Sequence, residues 1–355
     1  MIEMVEISLF LQWIRRVNMK ISILDQVPVI SGLTAREALN DAVTLAQNAE
    51  KWGYERIWFS EHHGGESLAS SAPEIIVAQV AAKTEKIRVG TGGIMMMHYS
   101  PLKIAEIFKT LESFHPGRID LGLGRAPGGD RNAIMALSQG KLPLLNNMYE
   151  KTDTIQKLLL DEIPAEELYS ITPAIPAVEE VPAMWLLGSS GDSARNAAQM
   201  GMGYSYAQFF SGKMNKDAFE QYNQNFVPSS FMQKKNISVA FYTLACPTEE
   251  EAQYYALPYM IFQMKLARGQ RLGKFLTPQE AADYPLTEME KMMIEKISQG
   301  HLIGTPKQIH NRLKSFQDEF QFDEAMLVTI THPQEVRLRS YQLLAEEILT
   351  ISTEA

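Results

Sequence analysis

A single cysteine, Cys246, stands among 355 residues. One thiol excludes an internal disulfide and any metal site built from several thiolates, and it agrees with a reducing, cytoplasmic setting. Basic residues are also in deficit: Lys and Arg number 33 against 42 Asp and Glu, a net charge of -9. A nucleic-acid surface needs a basic stripe, so that class is set aside, and any anionic ligand must be held by local donors. No apolar run approaches the roughly 20 residues that cross a bilayer, so no membrane partner is expected. A secretory pattern is missing too, because the apolar stretch from Ile7 to Ile14 precedes Arg15 and Arg16 instead of following a basic segment. Residues 1–18 read as a leader or an added arm, and one domain is expected over 19–350.

What is present is ample core material, with 45% of residues hydrophobic, arranged as short apolar runs that alternate with helical patterns. Strands are expected at 21–25, 57–61, 87–91, 119–123, 184–188, 203–207, 237–245 and 324–331. Helices intervene with local start signals. Thr34 and Glu37 form a capping box, Pro73, Pro101 and Pro306 sit where a first helical turn tolerates proline, and Gly53 supplies a left-handed stop. Eight strands in such an alternation predict a closed parallel (β/α)8 TIM barrel. Residues 125–147 read as a long loop without periodicity, and about 248–303 as an insertion, helical, Met-rich and without a strand from Thr248 to Gly300.

Chemistry gathers where strands end. The second run ends in Glu61-His62-His63, the third in Gly92-Gly93, the fourth in Gly124-Arg125, and the fifth in Ser189-Ser190-Gly191-Asp192-Ser193. In a parallel barrel these ends share one face, where active sites lie. The serine-rich turn opens a helix, so free amides and hydroxyls could cradle a phosphate, with Arg125 supplying charge; taken alone, the ordinary serine cap is the commoner reading. Adjacent histidines on a strand face opposite ways, so they do not read as a metal pair, and no metal is expected. Gly92-Gly93 offers backbone without Cβ where something flat could approach. Met95 to Met97 read as pocket lining or core.

These residues together carry a resemblance. Trp58 to His63, Val89 to Ile94, Ser100-Pro101-Leu102, Gly117 to Arg125, Leu187 to Gly191 and Gly304-Thr305-Pro306 resemble the bacterial luciferase-like monooxygenases, over residues 19 to 349. The resemblance implies reduced FMN at the C-terminal end of the barrel, its phosphate held by Arg125, Ser189, Ser190 and Ser193, with Gly191 giving the backbone room. It implies a non-prolyl cis peptide at Gly92-Gly93 under the flavin ring and a pocket histidine at His62, with Glu61 beside it in the catalytic group. It further implies that O2 and a small organic substrate react there, that a separate flavin reductase supplies the reduced cofactor transiently, and that the chain forms a homodimer. Gly124 stands where light-emitting members carry a reactive cysteine, which argues against light emission. The alternatives are hydride transfer with a deazaflavin on the same barrel and a flavin-binding protein without turnover.

Overall fold

A computed structural model describes residues 19–126, 129–141, 147–270 and 272–349. The proposed leader at 1–18 lies outside the described residues. Ten strands form: β1 (Lys20–Asp25), β2 (Arg56–Phe59), β3 (Arg88–Thr91), β4 (Ile94–Met95), β5 (Ile119–Gly124), β6 (Ala183–Gly188), β7 (Gly203–Ala207), β8 (Ile237–Ala245), β9 (Leu302–Gly304) and β10 (Glu324–Val328). All pair in parallel, and β10 bonds to both β1 and β8, which closes an eight-membered ring in the order β1-β2-β3-β5-β6-β7-β8-β10. The expected barrel is therefore the observed one.

Strand alternation builds two cores from one sheet, since successive side chains point to opposite faces. Ile21, Ile23, Ile57, Phe59, Val89 and Leu121 are buried outward against the surrounding helices. Leu24, Trp58, Trp185, Ala240, Tyr242 and Met326 occupy the alternate positions and belong to a separate interior cluster. Burial on both faces explains why the strands read as short, nearly continuous apolar runs.

The floor of the barrel is charged. Arg56 Nη1 donates to Asp120 at 2.6 Å and Arg56 Nε to Glu324 at 2.8 Å, while Arg88 Nη2 reaches the other Asp120 oxygen at 2.6 Å. The Trp58 indole N–H adds a bond to Asp120 at 2.9 Å, and the Arg56 guanidinium lies 4.9 Å from the Trp185 ring. Burial opposes ionisation of Asp120, but Arg56 and Arg88 outweigh it and lower its pKa. The ions are paired on every side, which is the condition under which buried charge is tolerated.

The helices follow their caps. Ala35–Trp52 starts on the Thr34–Glu37 capping box and stops at Gly53, whose φ of 86° is a left-handed conformation that costs a glycine little. Pro73–Ala81, Pro101–Phe114 and Pro306–Phe320 each carry proline in the first turn. One expectation needs correction. The 125–147 segment is not all loop, because Arg131–Leu137 is helical, N-capped by Asp130 accepting from the Ala133 amide at 2.8 Å. From Thr248 to Gly300 the described residues form no strand, as expected; just beyond, a strand that was not expected, β9, pairs with Thr243–Ala245 at the end of β8.

The insertion is otherwise helical, with Glu249–Ala267, Pro278–Ala282 and Glu288–Gln299. It is stitched across the rim to the loop after β1. Phe275 N donates to Val29 O at 3.1 Å, Ser31 N to Phe275 O at 2.7 Å and Ser31 Oγ to Glu280 at 2.9 Å. This roofs part of the strand-end face with Tyr259, Met260 and Phe275, which pack with the barrel-interior residues.

Candidate functional site

The four motifs singled out in the sequence occupy consecutive places on the rim. Glu61-His62 follows β2, Gly92-Gly93 follows β3, Arg125 follows β5 and the serine turn follows β6, and these strands are successive neighbours in the ring. One arc therefore holds all of them.

On the β2 side, the peptide between Gly92 and Gly93 is cis, as the resemblance implied. A Cβ on Gly93 would lie 2.7 Å from the Gly122 carbonyl oxygen, so neighbouring β5 backbone requires glycine there. Glu61 is 2% exposed and takes three donors: Oε2 accepts from Met95 N at 2.8 Å, and Oε1 accepts from the Tyr99 hydroxyl at 2.6 Å and from His63 Nε2 at 2.8 Å. Three donors on its two oxygens hold this carboxylate in place, so Glu61, which the resemblance puts in the catalytic group, also braces the rim. Burial, then the bond to Glu61, raises the Tyr99 pKa.

The two histidines do point to different partners, His63 to Glu61 and His62 Nδ1 to Ser60 Oγ at 3.1 Å. His62 is part-buried. Burial, with His63 nearby, lowers its pKa to about 4, so the imidazole is neutral at pH 7 and can take up a proton. Met95, Met96 and Met97 are buried, the last two in the outer core. Lys151 Nζ donates to the Tyr99 carbonyl at 3.0 Å and secures the turn that carries them.

On the β5–β6 side, Gly124 pairs with Leu187, so Arg125 leaves the sheet beside Gly188 and next to Ser189. Arg125 and Ser189 are both exposed. Among the described residues the Arg125 guanidinium makes no hydrogen bond or ion pair, and its charge acts on Tyr149, whose hydroxyl donates to Asp192 at 3.2 Å in the first turn of the helix Gly191–Gln199. Ser190 caps that helix and Ser193 completes a capping box. The Ser193 hydroxyl donates to Ser190 O at 2.9 Å and lies 3.2 Å from Tyr204 Oη, so these two hydroxyls are committed to the cap. A side chain at Gly191 would meet the exposed Asp217 carboxylate, which would have to swing aside. Arg125, Ser189 and the first free helix amides fit a phosphate; Asp192 sits close but is paired with Arg195 at 2.9 Å.

Sequence reasoning missed Tyr99, Tyr149 and Lys151. Tyr99 is 38 positions from the carboxylate it meets, and no local pattern joins them.

A closed parallel barrel with one glycine-, arginine- and hydroxyl-bearing arc at its strand ends defines a (β/α)8 protein with a single strand-end site. The chain belongs to the luciferase-like monooxygenase family, whose model matches residues 19–320. It is 39% identical to the uncharacterized protein YwcH of Bacillus subtilis (strain 168), over 92% of this chain and 98% of that one. An N-acetyl-S-alkylcysteine monooxygenase of the same organism is 32% identical, over 93% and 98%. The solved structure of apo-MsnO8 superposes with a TM-score of 0.84 at 31% identity, covering 94% of this chain and 98% of that one.

Proposed function

We propose that the protein is a monooxygenase that takes reduced FMN from a separate flavin reductase, in the cytoplasm, and uses it with O2 to oxidise a small, largely apolar organic molecule. The observation that carries this is the continuous arc from His62 through Gly92-Gly93 to Arg125 and Ser189, since it matches a flat ring at one end and a dianion at the other. When bound, FMN supplies two electrons and a ring that reacts with oxygen.

The chain's own residues do the rest. Arg125, Ser189 and the amides at the start of Gly191–Gln199 hold the phosphate. Gly92 and Gly93 present backbone without side chains to the ring. Neutral His62, oriented by Ser60, accepts or returns a proton at its Nε2. The roof around Tyr259, Met260 and Phe275 excludes water from the reacting atoms.

The relative named for N-acetyl-S-alkylcysteine oxidation makes thioethers the first class to screen. The test is oxygen uptake by the full chain with a flavin reductase, NADH, FMN and a panel of thioethers, aldehydes and small heterocycles. Substrate-dependent uptake with product carrying one atom from 18O2 supports the reading. Binding of a deazaflavin but not FMN, or FMN binding with no oxidised product from any class, goes against it.

A further inference from the structure

Two strands round the ring from Gly92, a polar side chain faces the mouth without a partner. In β1 the side chains alternate: Asp25 turns outward to accept from Arg337 Nη2 at 2.6 Å, while Leu24 belongs to the interior cluster. Gln26 therefore points inward on the same side as Leu24. The ladder runs on past the strand ends, because Ser60 N donates to Asp25 O at 3.1 Å and Gly92 N to Phe59 O at 2.7 Å. Gln26, Ser60 and Gly92 thus stand at one level on three neighbouring strands. Gly92 also faces the interior, since a Cβ there would lie 2.5 Å from Leu24 Cδ1.

The backbone fixes this direction under strain. Val27 has a φ of 51°, a left-handed conformation that a β-branched residue rarely takes. Its amide donates to Asp25 Oδ1 at 2.7 Å and its carbonyl accepts from Ala69 N at 2.9 Å, so the bend is pinned on both sides. Strain that the surroundings hold in place concentrates at ligand sites.

Gln26 is 7% exposed, and its carboxamide makes no hydrogen bond among the described residues. Its oxygen and nitrogen are nevertheless not shut in, unlike the Oδ2 of adjoining Asp25, which is buried and unpaired. An inward-facing amide that solvent still reaches borders open space, and that space is the barrel mouth. Leu24, Ile30, Ile330 and Phe275 of the interior cluster surround the mouth here, Phe275 as part of the roof. His62, two residues beyond Ser60, is neutral at pH 7. None of these groups carries a charge, so an ionised ligand group would be desolvated without a counter-ion, whereas an uncharged one exchanges hydrogen bonds with the amide. A primary carboxamide is the closest match, because its C=O and N–H share one edge and pair with both polar atoms of Gln26.

We propose that Gln26 determines substrate specificity, binding an uncharged carboxamide-like group of an otherwise apolar molecule whose reacting atom lies over Gly92-Gly93. The two positions are two strands apart, roughly 10 Å, so one small molecule spans them. This assignment rests on the proposed monooxygenase reading of the strand-end mouth.

The test is calorimetric titration of the FMN-loaded full chain with three thioethers of one shape: β-(butylthio)propionamide, β-(butylthio)propionate and butyl isopentyl sulfide. They end in a carboxamide, a carboxylate and an isopropyl group. Wild type should bind the amide about tenfold or more tighter than the propionate. Gln26→Leu should shift the affinity ratio of amide to isopentyl sulfide by about tenfold against the amide. Gln26→Glu keeps the shape, and its charge should weaken the propionate by a further tenfold or so relative to the amide. The proposal is overturned if wild type binds the propionate as tightly as the amide, or if it binds none of the three. A ratio within about twofold of the parent in either variant also overturns it. The wild-type comparison and Gln26→Glu keep the test readable should Gln26→Leu fail to fold. FMN titration of the same wild-type sample separates the two readings: failure there strikes the cofactor assignment, whereas failure of the amide preference with FMN bound strikes Gln26 alone.

Discussion

Glu61 Oε1 receives two donors at once, the Tyr99 hydroxyl at 2.6 Å and His63 Nε2 at 2.8 Å. The second oxygen takes the Met95 amide, so one buried carboxylate ties the loop after β2 to the segment after β3. The two stretches that flank the proposed flavin ring are thus held in register by one buried carboxylate.

Glu61→Gln replaces one acceptor with a donor that faces donors. It should lower stability by about 2–4 kcal/mol in a denaturant titration, because at least one buried donor loses its partner. Tyr99→Phe removes one bond only and should cost about 1 kcal/mol. Equal, negligible losses in both variants would show that the network does not brace the rim.

His62, in the loop after β2, carries a neutral ring tied to Ser60. His62→Ala should retain FMN affinity while substrate-dependent oxygen uptake falls by about 100-fold, the usual scale of a lost acid-base group. Unchanged turnover would remove His62 from the chemistry.

The depressed histidines also set a pH dependence. The ordinary value is 6.5 and the folded values for His62 and His301 are about 4, so the unfolded chain binds protons first as pH falls. Their contribution to stability is complete above pH 6.5, is lost between pH 6.5 and 4, and changes no further below that. For buried His301 the loss at pH 4 is roughly 3 kcal/mol. Thermal melts across this window should therefore slope downward towards acid, and His301→Phe should flatten part of the slope; a melt series identical in variant and parent would contradict it.

At the barrel floor, Arg56→Met strips compensation from Asp120 and Glu324 together. The expected loss is about 3–5 kcal/mol, measured by chemical denaturation. A loss below about 1 kcal/mol would mean that the carboxylates find water or protons instead.

Local signals made much of this legible in the residues. β7 at Gly203–Ala207 and β8 at Ile237–Ala245 have the bounds their patterns predict, because alternation and turn signals act over a few positions. The helix Arg131–Leu137 buries no side chain, so it leaves no apolar stripe to read. β9 is three residues long and exists through pairing with Thr243–Ala245, about 60 positions away. The site divides in the same way. Arg125 and the Ser190 cap announce themselves locally, whereas Glu61 with Tyr99, and Gln26 with Ser60 and Gly92, are joined only by the closed ring.

The central claim is that Arg125 and the adjoining turn grip a phosphate. It is tested most directly by fluorescence titration of the wild-type protein and Arg125→Ala with FMN and with riboflavin, which lacks the phosphate. Wild type should bind FMN at least about tenfold tighter than riboflavin, and Arg125→Ala should lose most of that advantage while its apo stability stays within about 0.5 kcal/mol of the parent. Equal affinity of wild type for the two flavins, or an FMN preference untouched in Arg125→Ala, would contradict the account.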